Sequence, residues 1–173
     1  LLKRFNSTGV SMYNNALSAR NDEPHNREVL LYPSGIKMWW SKVVYFDRSE
    51  FSKMFFDTWA HVADNYEFYQ FLYNFPGKLF RTDYCVSIAV HILNGMEESD
   101  IVGNFNDVPM YYLSQEDDII DINSKQDWIC LGCDTKEKWK NLLIKHSKLD
   151  LHVMNKRALL RMKTKLLEKF DGR

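Results

Sequence analysis

No P-loop, no G-x-G-x-x-G fingerprint and no nucleophile elbow occurs anywhere in these 173 residues. P-loop, Rossmann and serine-hydrolase chemistries therefore have nothing to rest on. Cysteine is scarce. Cys85, Cys130 and Cys133 make an odd number without framework spacing, which excludes a disulfide-stapled fold and points to a reducing compartment, so the cytoplasm is the expected location. No apolar run approaches the roughly 20 residues of a membrane span, and the opening LLKRFNSTGV has neither the long hydrophobic region nor the cleavage site of a signal peptide. No membrane partner is expected. Net charge is also missing, with 23 basic residues balanced by 23 acidic ones, so no global field favours a polyanion and nucleic acid is not an expected partner.

Aromatic rings are abundant, at 14% of the chain within an apolar fraction of 45%. That composition indicates a globular protein with a ring-rich core or cleft. Residues 1–35 are polar and turn-rich, with NSTG, NN, NDEPHN and YPSG in succession, and predict an N-terminal arm or irregular covering. Residues 36–173 are expected to form a single domain. A strand, interrupted by Ser41 and Lys42, is predicted over Lys37 to Phe46. Phe51, Met54, Phe55, Trp59 and Val62 then step as one helical face behind the N-cap candidate Ser49 and Glu50, and Asn65 marks a break before a second helical stretch that ends at Pro76-Gly77.

The next stretch, FRTDYCVSIAVHILNG, places a charged triplet at the mouth of an apolar helix. Thr82 or Asp83 caps it on this reading, Cys85, Ile88, Ala89 and Ile92 form its buried stripe, and Asn94-Gly95 stops it. VPMYYL at 108–113 and DWICLGC at 127–133 predict short strands on either side of an acidic turn, Lys136 to His146 predicts a short helix, and Asn155 to Phe170 a cationic amphipathic helix. The class is thus α/β, a small mixed sheet with flanking helices.

Each chemical constellation has a bland alternative. Cys130-Leu131-Gly132-Cys133 has C-x-x-C spacing, but no second ligand pair follows and the motif lies in an apolar strand, so buried structural thiols are expected. Glu116, Asp117, Asp118 and Asp121 are hard-cation ligands by type, and acidic turn residues by default. Asp150 and His152, two apart, point the same way if extended and are both competent divalent-ion ligands, while Lys156 stands at a helix start, where amides and a lysine together favour phosphate. Against that, Asp150 as a cap and His152 as a packed residue need no ligand. His61 and His91 have no ligand-spaced partner. Arg157, Arg161, Lys163, Lys165 and Lys169 make the last helix basic, as a solvated face.

GIKMWWSKVVYFDRSEFSKMFFDTW, NYEFYQFLYNFPGKLFRTDYCVSIAVHILNG and DLHVMNK together resemble the later part of glycosyltransferase-like proteins of tailed bacteriophages and their marine relatives, over about residues 29–160. Those proteins are related to nucleotide-diphospho-sugar transferases of the GT-A fold. The resemblance implies sugar transfer from a nucleotide-sugar to a hydroxyl acceptor with manganese or magnesium. It implies Asp83 as the catalytic, acceptor-side acid and His152 with Lys156 as the late metal ligand and phosphate contact; Asp150 stands beside His152 as the second candidate metal ligand, and Arg81 is a candidate to hold a substrate phosphate or Asp83 itself. Trp39 and Trp40, with Tyr66 and Tyr69, are candidate sugar-stacking faces. The location would then be the host cytoplasm or the virion.

Two departures stand beside it. The family's Asp-x-Asp motif does not occur upstream of Gly35, where only about thirty residues stand, fewer than a nucleotide-binding half of several βαβ units needs. The His152-to-Lys156 spacing is shorter than in glycogenin-like enzymes. The chain, which does not open on methionine, is therefore expected to be the C-terminal portion of a longer transferase. The alternative is a non-catalytic structural or protein-interaction module, a viral particle or assembly component with residues 1–35 reaching a neighbour. In that case Arg81-Thr82-Asp83 is a capped helix with a salt bridge.

Overall fold

The computed structural model describes residues 9–14, 17–18, 30–31, 35–75, 79–97, 101–105, 110–123, 128–134, 139–144 and 150–170. The class is α/β, as the patterning predicts. The chain forms two compact units, one of Leu1–Asn15 with Asn26–Asp107 and one of Ala16–His25 with Val108–Arg173.

The first unit is organised around β1 (Val10–Tyr13), which lies in the stretch whose composition predicts an arm. All four of its residues are buried, because Val10 and Met12 enter a core with Trp39, Phe55, Val86, Val90 and Val102. Most of the remainder of residues 1–35 lies outside the described residues. β1 is the middle strand of three, antiparallel to β5 (Trp40–Phe46) and parallel to the short β6 (Gly103–Asn104). The predicted strand over 37–46 is divided: β4 (Ile36–Lys37) pairs with β3 (Leu30–Leu31), and β5 resumes at Trp40. The β1–β5 register slips between Met12 and Tyr13, a bulge that brings Tyr13 opposite Trp40.

Three helices complete this unit. α1 (Glu50–Asp64) begins where predicted, with the Ser49 hydroxyl accepting from the Ser52 amide at 3.2 Å. Phe55 and Val62 are fully buried, but Met54 falls on the outer side and is exposed. α2 (Tyr66–Tyr73) follows the break at Asn65 and stops at Asn74, which adopts the left-handed conformation at φ 50°. Pro76-Gly77 lies outside the described residues. α3 (Thr82–Leu93) buries Cys85, Ile88 and Ala89 of the predicted stripe, with Ile92 packed against the same cluster, and buries Val86, Ser87 and Val90 as well, so that six consecutive residues are covered. Val86 and Val90 pack on the sheet side, and Cys85, Ile88 and Ala89 pack with Val62, Tyr69, Tyr73 and Phe75. A helix covered on both flanks has no polar face.

The second unit holds a parallel three-stranded sheet and an antiparallel one. In the first, β7 (Met110–Leu113) lies between β11 (Asp150–Val153) and β2 (Leu17–Ser18). In the second, β8 (Asp118–Asn123), β9 (Trp128–Asp134) and β10 (Trp139–Ile144) form a meander. β10 overturns the helix predicted over 136–146. Its six residues pair with β9 from Trp139 opposite Asp134 to Ile144 opposite Ile129, so the hydrogen-bond ladder prevails over the helical spacing. The basic C-terminal segment is two helices, α4 (Lys156–Arg161) and α5 (Lys163–Phe170), separated at Met162. Leu113, Ile119, Ile122, Val153, Ala158 and Met162 form the core of this unit. No helix of the described residues is long and apolar enough to cross a membrane.

Candidate functional site

Asp83 sits in the first turn of α3, where its charge complements the positive end of the helix. It does not cap that helix. The N-cap is Arg81, in extended conformation and without a side-chain cap bond. The Asp83 carboxylate turns instead to the start of β5, where Oδ1 accepts from the Ser41 amide at 2.8 Å and from the Ser41 hydroxyl at 2.6 Å, and Oδ2 lies 3.9 Å from Lys42 Nζ. Only 14% of the Asp83 side chain is exposed. One helical turn on, the Ser87 hydroxyl accepts from the Trp39 amide at 2.8 Å and donates to the Asp83 carbonyl at 2.7 Å. Asp83 and Ser87, at i and i+4, thus stitch Trp39 to Lys42 onto the first two turns of α3.

Arg81 takes no part in this. Its guanidinium lies 5.5 Å from the Tyr84 ring centroid, a cation–π arrangement, and its backbone N–H donates to the Tyr66 hydroxyl. The expected Arg81–Asp83 salt bridge is replaced by Lys42–Asp83. Trp39 is 1% exposed and offers no open face to a sugar, and Tyr69 is likewise buried. Trp40, half-buried at the start of β5, is adjacent in sequence to Ser41. Sequence reasoning missed Ser41 and Lys42 as partners of Asp83. Their one visible signal was that they interrupt an apolar strand, and the two interrupting polar residues are those that meet the carboxylate.

In the second unit β11 is extended, the conformation on which the pairing of Asp150 with His152 is conditional. The side chain of Asp150 lies outside what is described. The His152 ring is half-buried and stacks on Tyr112, its register partner on β7, with centroids 5.6 Å apart and planes inclined by 26°. Lys156 is the first residue of α4, and its Nζ donates to the Val153 carbonyl at 2.6 Å. Asn155 caps α4 by accepting from the Ala158 amide at 3.2 Å, and its own amide donates to the Asp117 carbonyl at 3.0 Å. Tyr112 and Asn155 are the local partners that the sequence did not single out.

The acidic cluster is divided among structural duties. Asp117, 1% exposed, accepts from the Ser114 amide at 2.7 Å, and Glu116 accepts from the Ser114 hydroxyl at 2.7 Å. Asp118 pairs with Arg161 and Asp121 with Lys165, which holds the Asp121 carboxyl below the ordinary carboxylate range. These ion pairs take two of the six cations of the last helical segment as well. Among the described residues no group of three or more His, Cys, Asp or Glu side chains is gathered closely enough to hold a metal ion. They do not by themselves make up a divalent-ion site, and no chemical step is derived through one. Asp83 belongs to the first unit and His152 with Lys156 to the second.

Comparison of the chain with protein-family models, curated proteins and solved structures returns no match.

Proposed function

We propose that this chain is the acceptor-side portion of a GT-A-like glycosyltransferase, acting on a nucleotide-sugar and a hydroxyl acceptor, with Asp83 as the carboxylate that receives the acceptor proton. The observation that carries the reading is the preorganised Asp83. One oxygen is fixed by two donors from a single residue, and the helix that bears it is buried along its middle turns. A carboxylate held by packing keeps its geometry through a reaction, as general-base catalysis requires. Lys42 holds the charge of Asp83 in the resting state; in the second unit, taken by itself, Lys156 at the start of α4 is the candidate cation for a phosphate group.

The experiment is release of nucleoside diphosphate from a panel of UDP-, GDP- and dTDP-sugars in the presence of manganese, comparing the native polypeptide with Asp83→Asn. Donor turnover that falls by roughly a hundredfold or more in a variant with an unchanged circular-dichroism spectrum supports the reading. Turnover that survives the substitution removes Asp83 from the chemistry.

A non-catalytic structural or assembly module is the second reading. It is favoured by how fully the candidate polar groups are engaged within the protein: Asp83 with Ser41, Lys156 with Val153, Asp118 with Arg161 and Asp121 with Lys165. On this reading no donor is turned over, and Asp83→Asn changes stability alone.

A further inference from the structure

α4 and α5 pack their inner side on the core of the second unit through Ala158 and Met162, with Leu159 and Leu166 beside them. The helical ladder continues across Met162. Its amide donates to the Ala158 carbonyl at 3.2 Å and its carbonyl accepts from the Leu166 amide at 2.9 Å, so one outer face runs along both helices. At the centre of that face stand Leu160, 72% exposed, and Leu167, 49% exposed, one heptad apart and within about 20° of each other around the axis. Exposed polar residues flank them within about 60°, Lys156 and Lys163 on one side and Arg157 and Thr164 on the other.

The segment from Asn155 to Phe170 carries six cations against one acid, Glu168. Arg161 and Lys165 lie roughly 100° or more round from Leu160 and pair with Asp118 and Asp121. Arg157 and Lys163, which flank the leucines, have no ion-pair or hydrogen-bond partner for their side chains among the described residues. We propose that this face docks on an anionic lipid bilayer. The helices lie flat in the interface, with Leu160 and Leu167 entering the acyl boundary and Arg157 and Lys163 reaching back to the headgroup phosphates. Leucines with a cation on each side are the cross-section of an interfacial helix, whose long cationic stems cover apolar surface while their charges stay with the headgroups. The lack of a helix able to cross a membrane does not bear on one that lies in its surface.

A nucleic acid would take up the same cations but leave the two leucines in water at the centre of the contact. A protein is also the poorer occupant. Leu160 and Leu167 together expose little more than the surface of one leucine, far short of the roughly 800 Å² per partner of a stable interface. Lipid binding has no such threshold, because it grows with buried apolar area and with attraction to anionic headgroups together. This docking stands apart from the sugar-transfer reading and holds whether or not Asp83 is catalytic.

Flotation of the full chain with phosphatidylcholine vesicles, with and without phosphatidylserine, is the test. One variant joins Arg157→Gln to Lys163→Gln and another joins Leu160→Ser to Leu167→Ser, all at outward positions, with circular dichroism to check the fold. The wild type is expected to float with the phosphatidylserine vesicles and to be released by salt. Loss of the two cations should weaken binding roughly thirtyfold, and loss of the two leucines by roughly tenfold or more. A wild type that stays off the anionic vesicles overturns the proposal, whatever else the face then binds. So does binding that the charge variant retains, and so does binding that the leucine variant retains in full, since the surface is then purely electrostatic, as for a nucleic acid. The charge variant decides alone should the serines prevent folding.

Discussion

Ser41 donates twice to one oxygen of Asp83, with its amide 2.8 Å and its hydroxyl 2.6 Å from Oδ1. The pair joins the start of β5 to the first turn of α3, residues 42 apart in sequence, in a place where only 14% of the carboxylate side chain meets solvent. Both bonds are charge-assisted, and removing the acceptor strands a backbone N–H as well as a hydroxyl.

Asp83→Ala is therefore expected to cost about 2–4 kcal/mol and Ser41→Ala, which leaves the amide bond in place, about 1 kcal/mol. Urea unfolding midpoints measure both. Equal midpoints for wild type and Asp83→Ala would show that the tether contributes nothing.

Gly9 precedes β1 with φ +81°, and a Cβ built there would stand 3.0 Å from Ser49 Oγ and 3.2 Å from Phe51 Cδ1. Its carbonyl also accepts from the Asp47 amide and the Ser52 hydroxyl, both at 2.9 Å. Gly9→Ala must carry a side chain in the left-handed region, at roughly 1–2 kcal/mol, and press on the α1 cap besides. A thermal melt should place it several degrees below wild type, whereas Gly35→Ala, with open space around its Cβ, bears the backbone strain without the crowding.

The Asp121–Lys165 pair gives acid stability a definite sign. The folded carboxyl is held below its ordinary range, chiefly by its bond to Lys165, so the pair's contribution is present above the unfolded value near pH 4 and fades as pH falls through the folded one. Lys165→Met should flatten the pH dependence of unfolding between about pH 2 and pH 4 and leave that near neutrality little changed. An identical acid profile for the variant would mean that the pair is screened out by solvent.

Burial pushes the Cys85 thiol up to about 11. The folded state keeps its proton while the unfolded thiol begins to lose it near pH 8.5, so stability from this group falls as pH rises from there toward 11. At pH 8 a brief iodoacetamide pulse should leave the Cys85 peptide unlabelled in the folded protein and label it in denaturant, read by mass spectrometry. Labelling at equal rates in both states would contradict its burial.

What local chemistry alone decides was legible in the chain. Ser49 as a cap, the break at Asn65 and the stop at Asn94-Gly95 each depend on a few neighbouring residues, and each is found where the residue types place it. The α/β class follows from the same patterns.

Tertiary structure decided the rest. Val10–Tyr13 became a central strand because two long-range partners, Trp40–Phe46 and Gly103–Asn104, flank it, and polar neighbours in sequence carry no record of them. Trp139–Ile144 became a strand because Trp128–Asp134 offered it a full ladder. Asp83, legible only as a cap, found its partners in Ser41 and Lys42 once β5 lay against α3. A side chain's own residue type sets which bonds it is able to make. Which one it makes depends on the groups that distant segments bring within about 3 Å of it.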